Sequence, residues 1–282
     1  MTAPVPTKPP EVEELVDEVI HRPLARRVVL LLIPTPITPN QVTLLSALVG
    51  IAGGVMLAVG AHQRSWTLGA GLLLFASVVL DCCDGQLARA RKISSTTGAI
   101  LDGIADYAVG LTLGVCGAYY MATVHGSAWY WLLGLAGIAS SAVQSALFDH
   151  AKTRYIARVS GGYAEREEDV DKVGRDRAAA KAEGRLGDVI LLWVYETYSR
   201  AQHAALAIPA AADPVAYRAA HAGRMRMWAF LGIGTHFALG YLLIFLNPWW
   251  PASVRTYFIG CAVPLNLLLA VLMATEPRTA AA

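Results

Sequence analysis

Four aspartates stand in the stretch from Asp81 to Asp106, DCCDGQLARARKISSTTGAILDGIAD, within segments otherwise apolar enough to cross a membrane. Asp81 and Asp84 are three apart and Asp102 and Asp106 four apart, so each pair shares one face of a helix. The basic and polar residues between the pairs read as the turn of a helical hairpin. If that turn centres near Ile93, antiparallel packing sets Asp84 opposite Asp102 and Asp81 opposite Asp106. Four carboxylates gathered in a low-dielectric setting cannot all stay ionised unaided, because an unpaired buried charge is either very costly or neutralised. Divalent cations resolve the conflict. Oxygen ligands without His or Cys select Mg2+, Mn2+ or Ca2+ over zinc or copper, and two dications balance four carboxylates. Two ions about 3.5–4 Å apart suit displacement at phosphorus, holding the attacking and the leaving oxygen together. Gly85 and Ala88 leave room beside Asp84 for a flat group or a phosphate, Arg89 follows with a planar fork suited to phosphate, and Gly98 lets the two helices pack closely.

The elements that hold these acids follow from composition and hydropathy. Of 282 residues 55% are hydrophobic and 16% charged, with a mean hydropathy of +0.46, so polar surface is too scarce for an ordinary soluble domain. A net charge of only +2 excludes the clustered basic surplus of a nucleic-acid binder. The expectation is an all-α integral membrane protein. Six stretches, near 40–61, 66–90, 98–123, 128–150, 225–247 and 253–275, reach the roughly 20 residues needed to cross a bilayer. Arg89, Arg91, Lys92, Lys152, Arg154 and Arg158 crowd the connections on one side, whereas those near Arg64, His125 and Arg255 are nearly free of bases. The positive-inside rule then places both termini and the acid-bearing turn in the cytoplasm.

Residues 1–10 read as a proline-rich disordered tail. Over 11–34, Val12, Leu15, Val16, Val19 and Ile20 share one helix face with Glu13, Glu14, Asp17 and Glu18 opposite, which predicts an interfacial amphipathic helix interrupted at Pro23. Residues 35–282 form the six-helix domain, with a polar cytoplasmic excursion at about 157–222. Within the excursion, 163–184 reads equally as a solvated loop, while Leu186, Val189, Ile190 and Val194 return to helical spacing.

The fixed positions spell D-x2-D-G-x2-A-R-x8-G-x3-D-x3-D, met by Asp81, Asp84, Gly85, Ala88, Arg89, Gly98, Asp102 and Asp106. In this pattern, and in the Thr38 to Thr43 run before the first span, the chain resembles the CDP-alcohol phosphotransferase family. The resemblance implies six transmembrane helices preceded by an interfacial one, a homodimer, a CDP-linked donor, an alcohol or phospho-alcohol acceptor, and two Mg2+ or Mn2+ ions. It implies that Asp81, Asp84, Asp102 and Asp106 bind metal, with Asp106 the base that deprotonates the acceptor. It implies that Asp84, Gly85, Ala88 and Arg89 form the CDP-binding segment, joined by Asn40 and Thr43, which could equally do no more than start a helix. Lys152, Arg154 and Arg158 could receive an acceptor phosphate, and membrane topology explains them as well. A CDP-diacylglycerol donor with a water-soluble acceptor is the first expectation. A soluble CDP-alcohol donor with a lipid acceptor is the second, because the motif reads only the CDP portion that both share. A divalent-cation carrier would also bury acids in a membrane, but it gains nothing from Arg89 one turn beyond them.

Overall fold

The computed structural model describes residues 9–93, 96–159, 164–189, 192–193 and 213–275, and among these there are helices and turns but no strand. The N-terminal segment opens with a 3-10 turn at Pro10–Val12 and becomes helical again at Leu15. It continues through one π turn, Asp17–His21, into α1, Arg22–Leu32. Pro23 therefore does not interrupt the helix. A proline lacks the N–H of an ordinary helical residue and crowds the carbonyl one turn back. Here it falls in the first turn of α1, where the Arg22 N–H has already reached five residues back to the Asp17 carbonyl and widened the helix.

The acidic face of this segment points inward. Glu11, 3% exposed, accepts from the Tyr155 hydroxyl at 2.5 Å and from Arg218 Nε and Nη2 at 2.6 and 3.0 Å. Glu14 accepts from the backbone N–H groups of Gly234 and Thr235 at 3.3 and 2.6 Å and from the Thr235 hydroxyl at 2.8 Å. Leu15, Val19 and Ile20 are exposed, and of the acids Glu18 is exposed beside them. A helix whose acids are satisfied by protein donors turns its apolar side outward, a stable arrangement where the surroundings are lipid.

The long helices follow: α2 (Pro39–Val59), α3 (Trp66–Arg91), α4 (Thr96–His125) and α5 (Trp129–Val159). Thr38 caps α2 through a reciprocal box, its hydroxyl accepting from Gln41 N–H at 3.3 Å while Gln41 Oε1 accepts from Thr38 N–H at 2.9 Å. Pro39 occupies the first helical position, where no N–H is missed. In the polar excursion, 164–182 forms α6 (Ala164–Ala182), whose Val173 and Ala180 are buried with Leu192 and packed near Ile100 and Val189. Of the expected second helix there, Ile190 and Val194 lie outside the described residues.

The fifth span is broken. Helix α7 (Pro214–Trp228) runs through a 3-10 turn, Ala229–Leu231, and bends by 48° at Gly232 into α8 (Ile233–Phe245). The last span is α9 (Ser253–Ala262) continued by α10 (Pro264–Ala274). Among the described residues five helices are long and apolar enough to cross a membrane, six when the bent pair is one span, so the chain is a multi-pass membrane protein. Its main core joins α2, α3, α4, α8 and α9 through Leu57, Leu74, Leu113, Tyr120, Ile244 and Phe258. Gly50 and Gly54 let α2 lie against its neighbours: a Cβ at Gly50 would stand 2.6 Å from Ser77 Oγ, and one at Gly54 2.9 Å from Thr112 Cγ2. A second core ties Val12 to α5, α7 and α10 through Phe148, Tyr155, Met225, Trp228 and Leu272.

Candidate active site

Helix α3 ends because Lys92 takes a left-handed conformation, φ 56°, and Ile93 N–H returns to the Ala88 carbonyl at 3.0 Å. One residue earlier, Arg91 fixes the entry to α2. Its guanidinium donates to the carbonyls of Ile37, Leu32, Thr35 and Ile33 at 2.5, 2.7, 2.7 and 3.2 Å, so one side chain satisfies the carbonyls freed at the end of α1. The α2 start, the α1 end and the acid-bearing half of α3 are thereby held as one unit.

Asp81 and Asp84 on α3 in that unit, and Asp102 on α4, each offer a carboxylate oxygen within 4.8 Å of the others. Asp84 is 6% exposed, and the Thr43 hydroxyl donates to its Oδ2 while also reaching the Pro39 carbonyl at 3.2 Å. Asp102 Oδ1 is buried without a partner. A buried carboxylate oxygen with no donor beside two further carboxylates is costly unless a proton or a cation joins it. Three hard oxygen donors gathered within 4.8 Å fit a divalent ion. Asp106 stands one turn deeper on α4, outside this group of three.

Two cavities meet at Asp106. One, of about 60 Å3, is lined by Asp17, Ser46, Ser77, Asp81, Asp106 and Gly234 among others. The second, of about 270 Å3, runs from Asp106 and Tyr107 between α4, α5, α8 and α9. Its walls are mostly apolar, with Ile138, Phe237 and Phe258 among them. His236 also lines it, 2% exposed, its Nδ1 at 4.0 Å from Cys261 Sγ and its Nε2 without a partner.

The other anticipated residues divide. Gly85 is half-buried beneath Arg89, and a Cβ there would make only an ordinary contact, 3.4 Å from Arg89 Nη1. Ala88 is half-buried and Arg89 exposed on the same helix. Asn40 is exposed in the first turn of α2, whereas Thr43 acts on Asp84. Lys152 Nζ lies 5.6 Å from the centre of the Phe148 ring, and the Arg158 guanidinium lies 5.3 Å from that of Tyr217. Neither of these, nor the half-buried Arg154, lines either cavity. Asp17, Glu14 and Arg91 were not anticipated as site residues. The i, i+4 spacing of Asp17 and His21 shows that they share a helix face, but nothing in it shows that the pair is turned inward.

Helices crossing a membrane around three converging carboxylates define a polytopic membrane protein with a site suited to hard cations. Residues 36–166, which hold every position of the aspartate motif, match the family model described as CDP-alcohol phosphatidyltransferase. It is also similar to two proteins named bifunctional IPC transferase and DIPP synthase. The one from Rubrobacter xylanophilus is 45% identical over 75 residues, 27% of this chain and 16% of the relative. The one from Thermococcus kodakarensis is 35% identical over 122 residues, 43% of this chain and 26% of the relative. The chain thus spans about a quarter or less of the length of these relatives.

Proposed function

We propose that this protein is a membrane phosphotransferase of phospholipid synthesis that moves a phosphatidyl group from CDP-diacylglycerol to a water-soluble alcohol and releases CMP. The observation that carries the reading is the convergence of Asp81, Asp84 and Asp102, with Asp102 Oδ1 buried and unpartnered, within the matched residues. In this reading Asp81, Asp84, Asp102 and Asp106 hold two Mg2+ or Mn2+ ions, which supply charge neutralisation for the phosphates and the leaving oxygen. Thr43 fixes the orientation of Asp84 through its hydroxyl. Gly85, Ala88 and Arg89 seat the CDP moiety, with the Arg89 fork on phosphate oxygens. Asp106 takes the proton of the acceptor hydroxyl as that oxygen bonds to phosphorus. The bond from that phosphorus to the oxygen of the CMP phosphate breaks, and CMP leaves with its electron pair. The apolar cavity beginning at Asp106 gives the hydrocarbon chains of a lipid substrate a place beside the reacting centre.

The basic residues flanking the acid-bearing turn support a site open to the cytoplasm, with both termini on that side. The outward apolar face of the N-terminal helix supports an interfacial position for it. The family resemblance supports a homodimer. A second reading exchanges the lipid between substrates: a soluble CDP-alcohol donor and a lipid acceptor. The same cavity favours it, because it opens at the base that faces the acceptor.

The test is CMP release by the purified, detergent-solubilised protein with Mg2+ or Mn2+ and CDP-diacylglycerol, against serine, inositol, glycerol, glycerol 3-phosphate and inositol phosphate. Metal-dependent CMP release with one acceptor is expected. Silence with every acceptor in a protein that still binds CDP would shift the reading to the lipid-acceptor form, and no CDP binding would remove the transferase reading altogether.

A further inference from the structure

The site as read from the motif leaves out a carboxylate that the N-terminal helix delivers to it. The π turn at Asp17–His21 puts both of its end residues on the inward face. His21 is fully buried, its Nδ1 2.7 Å from Asp17 Oδ1 and its Nε2 3.2 Å from the Tyr241 hydroxyl on α8. Tyr241 and Phe75 pack edge-on to one another, with ring centres 5.2 Å apart, and close the far side of this array. The carboxylate rests on Gly234, where a Cβ would stand 2.7 Å from Asp17 Oδ1 and 2.9 Å from Oδ2, so the break in the fifth span provides the space it occupies. The bond to His21 uses Oδ1 and leaves Oδ2 the capacity for a further hydrogen bond. Asp17, Asp81 and Asp106 line the same cavity of about 60 Å3, room for about four water-sized groups or one hydroxyl-bearing end of a small alcohol.

We propose that Asp17 is a specificity-determining residue for the acceptor: held by His21 and Tyr241, it accepts a hydrogen bond from a hydroxyl or ammonium group next to the reacting hydroxyl, and so selects an unphosphorylated polyol or amino alcohol. The inference rests on the transferase reading above and names its acceptor class. A carboxylate can only accept, so its partner on the acceptor must be a donor. Among the described residues neither cavity at Asp106 is lined by a Lys or Arg side chain, so the side chains beside Asp17 offer an acceptor phosphate no positive partner. His21 and Tyr241 act through Asp17 as positioning residues, fixing one carboxylate orientation.

The test compares the full-length protein with its Asp17→Asn and Tyr241→Phe variants in detergent with Mg2+ and CDP-diacylglycerol. Acceptor KM, donor KM and kcat are measured for serine, inositol, glycerol 3-phosphate and inositol phosphate, and metal-dependent CDP binding is measured separately. The expected result is that serine or inositol exceeds its phosphorylated counterparts in kcat/KM at least about tenfold. Asp17→Asn should then raise the KM for that acceptor at least about tenfold, with donor KM and kcat within about threefold, and Tyr241→Phe should shift the same KM by less. An effect mainly on serine would identify the ammonium as the group bound, and equal effects on serine and inositol a hydroxyl. An unchanged acceptor KM in Asp17→Asn, a loss confined to kcat, or a preference for a phosphorylated acceptor overturns the assignment and leaves the transferase reading intact. Absence of both CMP release and CDP binding in the unsubstituted protein overturns both.

Discussion

At the scale of single residues, the site depends on short side chains that hold longer-lived charges in place. Thr43 shows why. Its hydroxyl can donate one proton, and that proton goes to Asp84 Oδ2 across the contact between α2 and α3. A carboxylate fixed by a neighbouring donor presents a defined oxygen to a cation, and removing such support commonly costs about 10–100-fold in metal affinity or activity. Thr43→Ala should therefore lower CMP release by about that factor at limiting Mn2+ and recover part of it at saturating Mn2+, while the melting temperature changes little. A titration of initial rate against Mn2+ reads this directly, and an unchanged Mn2+ requirement would remove Thr43 from the site. The sequence left Thr43 with two open roles because a threonine in the first turn of a helix serves capping as readily as binding. The structure assigns the cap to Thr38 and Gln41 and frees Thr43 for Asp84.

At the scale of elements, the decisive arrangement is the N-terminal helix seated on a broken span. The bend at Gly232 exposes backbone N–H groups at the start of α8, and Glu14 accepts from two of them. Burial, and next the Asp17 charge, push the Glu14 carboxyl up to about 7 from an ordinary 4.5, despite its hydrogen bonds from Thr235 and Gly234. Because the folded state holds this proton more tightly than the unfolded state, its contribution is complete below pH 4.5 and is lost as pH rises toward 7. A shift of this size corresponds to about 3 kcal/mol, an order-of-magnitude figure. Glu11 behaves oppositely. Burial alone would raise it, but hydrogen bonds from Arg218 and Tyr155 outweigh burial and hold it at about 2, so its contribution is lost only as pH falls from 4.5 toward 2. Between pH 4.5 and 7 the Glu14 effect stands clear of Glu11. Thermal melts in detergent should show the unsubstituted protein losing more stability across that window than Glu14→Gln does, and parallel curves would contradict the burial of an ionisable Glu14. The sequence could not supply this arrangement. Periodicity groups residues by helix face but does not show which face turns inward, and here Val12 is buried with Glu11 and Glu14 while Glu18 is exposed with Leu15, Val19 and Ile20. Hydropathy averaged over a span also hides a bend that depends on one glycine.

At the scale of the whole molecule, what was legible in advance is what a bilayer imposes. Each crossing needs a long apolar helix, and the anticipated stretches near 40–61, 66–90, 98–123 and 128–150 correspond to α2 through α5. The fifth begins earlier, at Pro214, because the polar first turns of α7 extend the helix beyond its apolar part. The aspartates were legible for the same reason: a carboxylate within such a helix has few uses other than binding or chemistry. Asp17 was not, because an acid on an amphipathic helix ordinarily faces water. The most direct measurement is CMP formation from CDP-diacylglycerol by purified protein, with and without added Mg2+ after chelation, for the unsubstituted chain and for Asp102→Asn and Asp106→Asn, alongside equilibrium CDP binding. The expected result is CMP release that requires metal and falls at least about 100-fold in both variants, with metal-dependent CDP binding kept in Asp106→Asn and weakened in Asp102→Asn. CMP release that persists after chelation, or near-normal turnover in Asp106→Asn, would contradict a metal-assisted transfer built on these carboxylates.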